Sequence, residues 1–149
     1  MTDNTLPAIE TLVPHSGPAL LLDCVIEARE DGITAAVTPG ADHPYLDPAL
    51  GGVPVWVGIE LMAQAVAAHA GLEGRQRGEA PRVGYLVGTR RFTAHVSCFP
   101  VGTPLEVEAT RLYLEESGLG AYDCRVRSRG AEWARATITV FQNRDTDPT

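Results

Sequence analysis

WVGIELMAQAVAAHAGL, residues 56–72, is the stretch of sequence that decides the fold. Nearly every residue in it is apolar, which predicts a helix that is buried on all sides rather than on one face. Only Glu60, Gln64 and His69 are polar. Glu60 and Gln64 are four residues apart and share a face, whereas His69 falls on the opposite side. A carboxylate in apolar surroundings is costly, so the pattern predicts that Glu60 is either paired or used in chemistry.

The segments on both sides of this helix have the patterns of strands. The pair Asp31-Gly32 predicts a hairpin between two strands that precede the helix. Apolar and polar residues alternate over 105–110 and again near the C-terminus. We expect an α+β fold of about six antiparallel strands wrapped around one long helix, in a single domain over residues 1–143 with a polar tail at 144–149. One sheet leaves one side of the helix uncovered, so we also expect a dimer.

Composition excludes several classes of protein. The net charge of −7 and the pI near 5.0 argue against a nucleic-acid-binding protein, which needs a basic surface. Three cysteines without metal-ligand spacing predict free thiols in a reducing compartment. No apolar run reaches the roughly 18 residues that predict a membrane span, and the first ten residues do not resemble a signal peptide. We therefore expect a cytoplasmic protein without a membrane span.

Five arginines are concentrated after the helix: Arg82, and the four candidate docking residues Arg75, Arg77, Arg90 and Arg91. The first interpretation is an ordinary solvated surface, since arginine is mostly exposed in folded proteins. The second is a docking site for an acidic partner. The sequence leaves both open.

Several motifs, in order along nearly the whole chain, resemble the 3-hydroxyacyl-acyl-carrier-protein dehydratases. The matching runs are Leu12-Val13-Pro14-His15 with Pro18 and Leu20-Leu21-Leu22-Asp23, then Gly58-Ile59-Glu60-Leu61-Met62-Ala63-Gln64, then Arg91-Phe92, and finally Pro100-Val101-Gly102 with Leu105. Within that family the chain is most similar to the predicted dehydratases of aryl-polyene-type pigment clusters. The resemblance implies the hotdog fold, and a dimer whose two sites lie at the subunit interface.

The resemblance also implies catalytic residues. In the family, a helix carboxylate from one subunit works with a histidine from the other, and Glu60 matches the carboxylate. The histidine belongs to a His-Phe-Pro-Gly motif fourteen residues before the glutamate, and this chain has Leu46 at that position. Two other histidines are candidates for the base: His43, in the same loop, and His15, which matches a histidine that the family places near the mouth of the acyl tunnel.

Dehydration of a 3-hydroxyacyl thioester needs a base for the C2 proton, an acid for the leaving hydroxyl and donors for the thioester oxygen. Glu60 would be the acid, and backbone N–H groups around Val57 and Gly58 at the helix N-terminus would be the donors. Trp56 would shape the helix entry or the tunnel wall, and Gln64 would orient Glu60 or a loop carbonyl. We expect no metal or cofactor, because phosphopantetheine of an acyl carrier protein, or coenzyme A, would carry the substrate.

Three other functions remain open at this point. A hotdog acyl thioesterase also uses an acid on the central helix but needs no C2 base. The chain could instead be the non-catalytic subunit of a heterodimeric dehydratase, lending Glu60 to a partner's site. A simple acyl-binding module is the third. Homodimer and heterodimer with another hotdog subunit are equally compatible with the sequence.

Overall fold

The computed structural model describes residues 6–78 and 84–142, and the predicted polar tail lies outside them. Over the described residues the chain forms one long helix and eight strands, with three short 3-10 turns at Ile9–Thr11, Gly17–Ala19 and Val55–Val57. The elements are β1 (Cys24–Arg29), β2 (Gly32–Val37), β3 (Gly52–Pro54), α1 (Gly58–Gln76), β4 (Gly84–Ala94), β5 (Cys98–Pro100), β6 (Leu105–Leu114), β7 (Leu119–Ser128) and β8 (Ala131–Gln142). Six strands form an antiparallel sheet in the order β1-β2-β6-β7-β8-β4, and β3 pairs with β5. The predicted fold class is confirmed.

The inner face of the sheet is made by alternate residues, as strand geometry requires. In β6, Leu105, Val107 and Ala109 are buried, whereas the residues between them are more exposed. Alanines at several inner positions let the helix lie close to the sheet, since they add little volume beyond the backbone. These are Ala35, Ala109, Ala134 and Ala136, in the same core as Ala65 and Ala68 of α1.

The helix differs from its predicted bounds at both ends. It begins at Gly58, after the 3-10 turn, and ends at Gln76. Gly71 is therefore an interior residue of the helix. A side chain at position 71 would overlap the backbone carbonyl oxygen of Leu12, so glycine is needed there for close packing of the N-terminal segment. The last turns contain two glycines, and they are anchored to the sheet by Glu73, which binds Arg111 of β6 at 2.6 Å.

Within the single chain, one side of the helix remains partly uncovered, as expected for one sheet. Leu61, Met62 and Ala65 are buried, whereas Ile59, Glu60 and other residues of one side remain partly exposed. The segment Val55–Gln76 is long and apolar enough to cross a membrane by length and composition alone. Since more than half of it is buried inside the fold, it is the core helix of a soluble fold. A cytoplasmic location stays a prediction.

A buried hydrogen-bond network fixes the C-terminal half of the helix. His69 is 1% exposed, and its Nδ1 lies 2.9 Å from the Tyr122 hydroxyl while its Nε2 lies 3.2 Å from the Glu30 carbonyl oxygen. Burial raises the pKa of Tyr122 to about 12, so the phenol keeps its proton and can donate it to Nδ1. The Nε2–H then donates to Glu30. His69 is thus a neutral packing residue.

This network predicts a loss of stability in acid. Burial lowers the pKa of His69 below its usual 6.5, so the folded state favours the neutral ring. The contribution of the neutral His69 ring to the free energy of unfolding is complete above pH 6.5, and it is lost as the pH falls through the lowered pKa. We expect the melting temperature to fall between about pH 7 and pH 5 more steeply in the wild type than in His69→Gln. Equal slopes in the two proteins would contradict this role for His69.

Candidate functional site

The candidate site lies at the N-terminal end of α1. Glu60 is in the first turn of the helix, and its side chain is 43% exposed, so the carboxylate faces an opening rather than the core. The N-cap residue, Val57, makes no side-chain hydrogen bond to this helix end. The positive end of the helix dipole therefore lies beside the carboxylate without a side-chain cap. An uncapped helix end of this kind can bind a polar atom of a ligand, or an atom on which negative charge develops during a reaction.

Gln64 holds Glu60 and the N-terminal segment together. Its side chain is completely buried, and its Nε2 donates to Glu60 Oε1 at 3.0 Å and to the Ala19 carbonyl oxygen at 2.7 Å. Its Oε1 accepts a hydrogen bond from the Leu21 backbone N–H at 2.8 Å. The predicted role in orienting Glu60 or a loop carbonyl matches these bonds. Their backbone partners had no signal in the sequence, because any residue type supplies such groups.

His15 is brought directly to Glu60 by this N-terminal segment. Its Nε2 lies 3.6 Å from Glu60 Oε1, and its side chain is 28% exposed. Its Nδ1 is enclosed, and within the described residues it has no hydrogen-bond partner. The ring can therefore present only its other edge to a ligand. Of the two histidines proposed as the base, His15 is the one that contacts the carboxylate.

His43 lies in the loop before β3 and is engaged locally. Its Nδ1 accepts a hydrogen bond from the Tyr45 backbone N–H at 3.1 Å, and its ring lies 6.1 Å from that of Tyr45. Burial lowers the pKa of His43, which favours the neutral ring. Because Nδ1 is an acceptor, the ring proton of this neutral form is on Nε2. In this conformation His43 has no free lone pair with which to take a proton.

The loop in which the resemblance places the catalytic histidine forms a tight turn in this chain. Asp47 caps a tight turn: its Oδ1 accepts from the Ala49 N–H at 2.9 Å, and its backbone N–H donates to the Gly52 carbonyl oxygen at 2.9 Å. Leu46, at the position of the missing histidine, is half-buried just before this turn. The turn is thus built without a titrating group at that position.

The predicted substrate-binding residues at the helix entry point in different directions. Trp56 is 60% exposed and makes an edge contact with Tyr45, with ring centroids 6.0 Å apart. Val57 is in the core. Gly58 is buried, and a Cβ there would lie 3.3 Å from the Phe99 ring, so the glycine serves packing. Its N–H donates to the Val55 carbonyl oxygen within the 3-10 turn, so this amide, which we expected to bind the thioester oxygen, is already engaged.

The four candidate docking arginines lie on two different elements and the turn that follows one of them. Arg75 lies in the last turn of α1 and donates to Thr11 Oγ1, with Arg77 just beyond. Fifteen residues of helix separate Arg75 from Glu60, or roughly 22 Å at ~1.5 Å per residue. Arg90 and Arg91 are exposed on β4. After this strand the chain reaches Ser97, whose carbonyl oxygen accepts a hydrogen bond from the Val55 N–H at the helix entry, at 3.1 Å.

Arg91 also has an unusual backbone. Its φ is +56°, at an irregularity of the β4–β8 pairing between Arg90 and Thr93. Arg129 shares this feature, but it belongs with Gly130 to the tight turn between β7 and β8, where positive φ is expected. The positive φ of Arg91 does not belong to such a turn, because Arg91 lies on an edge strand. Residues with a strained backbone concentrate at functional sites.

Within residues 6–78 and 84–142, no group of three or more His, Cys, Asp and Glu side chains is placed to hold a metal ion.

Comparison with known proteins identifies the family. The model of the ApeP-like family, described as ApeP dehydratase, matches residues 7–149. The chain belongs to the ApeP-like dehydratase family. It is 27% identical to a chain of the dehydratase heterocomplex ApeI:P from Xenorhabdus doucetiae, with a TM-score of 0.88 over 95% of both chains. This ApeP-like chain is therefore a dehydratase-like hotdog protein.

More distant structures share the fold alone. The TT0310 protein from Thermus thermophilus is 20% identical, with a TM-score of 0.60 over 78% of this chain and 88% of that one. A hypothetical thioesterase protein with coenzyme A from Streptococcus pneumoniae is 12% identical, with a TM-score of 0.61 over 80% and 84% of the two chains. No functionally curated protein is significantly similar in sequence.

Proposed function

We propose that this protein removes water from 3-hydroxyacyl thioesters and forms the trans-2-enoyl thioester, with Glu60 as the acid. The observation that carries the proposal is the half-exposed carboxylate on the first turn of α1, held by Gln64 and facing His15, in a chain of the ApeP-like dehydratase family. A helix of this kind places the acid on rigid secondary structure, which favours accurate positioning of the leaving hydroxyl.

The chemistry follows from the charges that develop in the reaction. Loss of the C2 proton builds negative charge on the thioester oxygen, which the positive end of the α1 dipole would stabilise. The hydroxyl on C3 is a poor leaving group unless it is protonated, and Glu60 would supply that proton. The Gln64 N–H bond to Oε1 leaves the other carboxyl oxygen, Oε2, available for the substrate.

We further propose that the active form pairs with a second hotdog subunit. Strand β4 is 11 residues long and lies at the edge of the sheet, so over the described residues one side of it is unpaired. Long free edges are normally covered in native proteins. The same partner would cover the partly exposed side of α1. The similar solved structure is itself a heterocomplex, which supports a heterodimer.

An acyl carrier protein is the proposed substrate handle, with Arg90 and Arg91 as its docking site, because the chain that follows their strand binds the helix entry through Ser97. Arg90→Glu/Arg91→Glu should raise KM for carrier-bound substrate at least about tenfold, since close charge pairs at interfaces contribute about 1.5 kcal/mol or more. Turnover of a neutral N-acetylcysteamine thioester should be unchanged. The control is Arg75→Glu/Arg77→Glu at the far end of α1. If both double variants keep the wild-type KM, the docking proposal fails.

The proposed reaction is tested by product analysis. The protein, alone and with its hotdog partner, is incubated with 3-hydroxyoctanoyl-carrier protein, and the carrier is weighed by mass spectrometry while free thiol is titrated. We expect the acyl group to lose the mass of one water without thiol release. Loss of the whole acyl group with thiol release would indicate a thioesterase. Water loss only in the sample that contains the partner would indicate a non-catalytic subunit that lends Glu60 to the partner's site, which Leu46 at the usual base position would then explain. No change in either sample would contradict the proposed dehydration.

A further inference from the structure

We infer that His15 is the base that takes the C2 proton, so that one chain carries both members of the acid–base pair. This inference rests on the proposed dehydration. It differs from the arrangement that the family resemblance implies, in which the histidine and the carboxylate come from different subunits. It also gives a role to a histidine of the N-terminal segment rather than of the loop before α1.

The first support is the geometry of the pair. His15 Nε2 and Glu60 Oε1 are 3.6 Å apart, and both side chains are partly open to solvent. The C2 carbon of the substrate could therefore approach His15 while the hydroxyl on C3 approaches Glu60. The segment that carries His15 is held a few residues later by Gln64, through the Ala19 carbonyl oxygen and the Leu21 N–H. The same amide orients Glu60, so one buried side chain fixes both groups.

The second support is the difference between the two candidate histidines. The Nδ1 of His43 accepts a hydrogen bond, which leaves the ring proton on Nε2 and no lone pair for catalysis. Within the described residues, the Nδ1 of His15 makes no hydrogen bond, so nothing there prevents it from carrying the ring proton. In that tautomer the Nε2 lone pair lies at the edge of the ring that faces the site, where Nε2 is 3.6 Å from Glu60 Oε1. His15 can act as a base at the atom that faces the site.

The proton balance closes through this pair and the solvent. His15 Nε2 takes the C2 proton, and the C–H electron pair becomes the C2–C3 double bond. The C3–O bond breaks, and the departing hydroxyl takes the proton of Glu60 and leaves as water. The imidazolium of His15 then releases its proton to solvent, and Glu60 Oε2 takes one from solvent, to which both side chains are partly open. Both groups regain their initial states, and no further reactant is needed.

The alternative is that His15 and Glu60 form only a surface ion pair. Such pairs contribute little to stability, so losing one would leave the protein folded and its chemistry unchanged. The test is therefore the rate of water loss from 3-hydroxyoctanoyl-carrier protein, measured on the full chain with its hotdog partner. We compare the wild type, His15→Gln and the matched control His43→Gln.

We expect His15→Gln to lose at least about 100-fold in rate, as general base catalysis implies, while His43→Gln stays within about threefold of the wild type. Added imidazole should partly restore the rate of a folded His15→Ala protein, because it can occupy the space of the missing ring. The assignment is overturned if His15→Gln keeps the wild-type rate. It is also overturned if His15→Ala is folded and slow and added imidazole does not restore its rate. An inactive wild type would instead overturn the proposed dehydration and the base assignment with it.

Discussion

Replacing Glu60 by glutamine should slow water elimination by about 10² to 10⁴-fold, the usual contribution of a positioned general acid. The variant keeps the size of the side chain, and its amide oxygen can still accept the hydrogen bond from Gln64 Nε2. It has no proton acidic enough for the leaving hydroxyl. We therefore expect kcat to fall while the melting temperature and KM change little.

The measurement is the single-turnover rate of enoyl formation on 3-hydroxyoctanoyl-carrier protein. Glu106→Gln is the matched control, because Glu106 is an exposed carboxylate on β6 whose neighbours Leu105 and Val107 are buried, so it lies on the outer face of the sheet. It should keep the wild-type rate. A Glu60→Gln protein as fast as this control would show that the carboxylate of this chain is not the acid.

Replacing Gln64 by leucine should have the largest effect on stability. The leucine fills a similar volume but leaves the buried Leu21 N–H and the Ala19 carbonyl oxygen without the partners that Gln64 provides. An unsatisfied buried group costs about 1–3 kcal/mol, so we expect a loss of about 2–5 kcal/mol in the free energy of unfolding. The rate of dehydration should fall as well, because Glu60 and the segment that carries His15 both lose an anchor.

Denaturant unfolding of Gln64→Leu and Gln76→Leu provides the comparison. Gln76 is an exposed glutamine in the last turn of the same helix, so its replacement should change stability by no more than about 0.5 kcal/mol. Equal stability of the two variants would contradict the structural role of the Gln64 amide. A destabilised Gln64→Leu protein that keeps the full rate would contradict its role in positioning Glu60.

The sequence was sufficient for the fold and for the helical part of the site. Apolar alternation and the Asp31-Gly32 turn predicted the strands, because each is a local pattern that the backbone follows. The four-residue spacing of Glu60 and Gln64 predicted their common face, and the 3.0 Å bond between them confirms it. These features depend on residues that are near each other in the chain.

What depended on distant contacts was predicted less well. The extent of α1 past Gly71 follows from its packing on the Leu12 carbonyl oxygen, which no local pattern shows. Gly58 was expected to face the substrate but packs on Phe99. The contact between His15 and Glu60 joins residues 45 positions apart through backbone groups at 19 and 21, so the sequence could name both histidines but could not choose between them.

The central claim is that this ApeP-like protein exchanges water at C3 of an acyl thioester, and the reverse reaction tests it most directly. Trans-2-octenoyl-carrier protein is incubated with the protein and its hotdog partner in ¹⁸O-labelled water, and the products are identified by mass spectrometry. We predict a 3-hydroxyacyl thioester that carries one ¹⁸O and remains bound to the carrier. Label found in a released fatty acid, or in no product at all, would contradict the account.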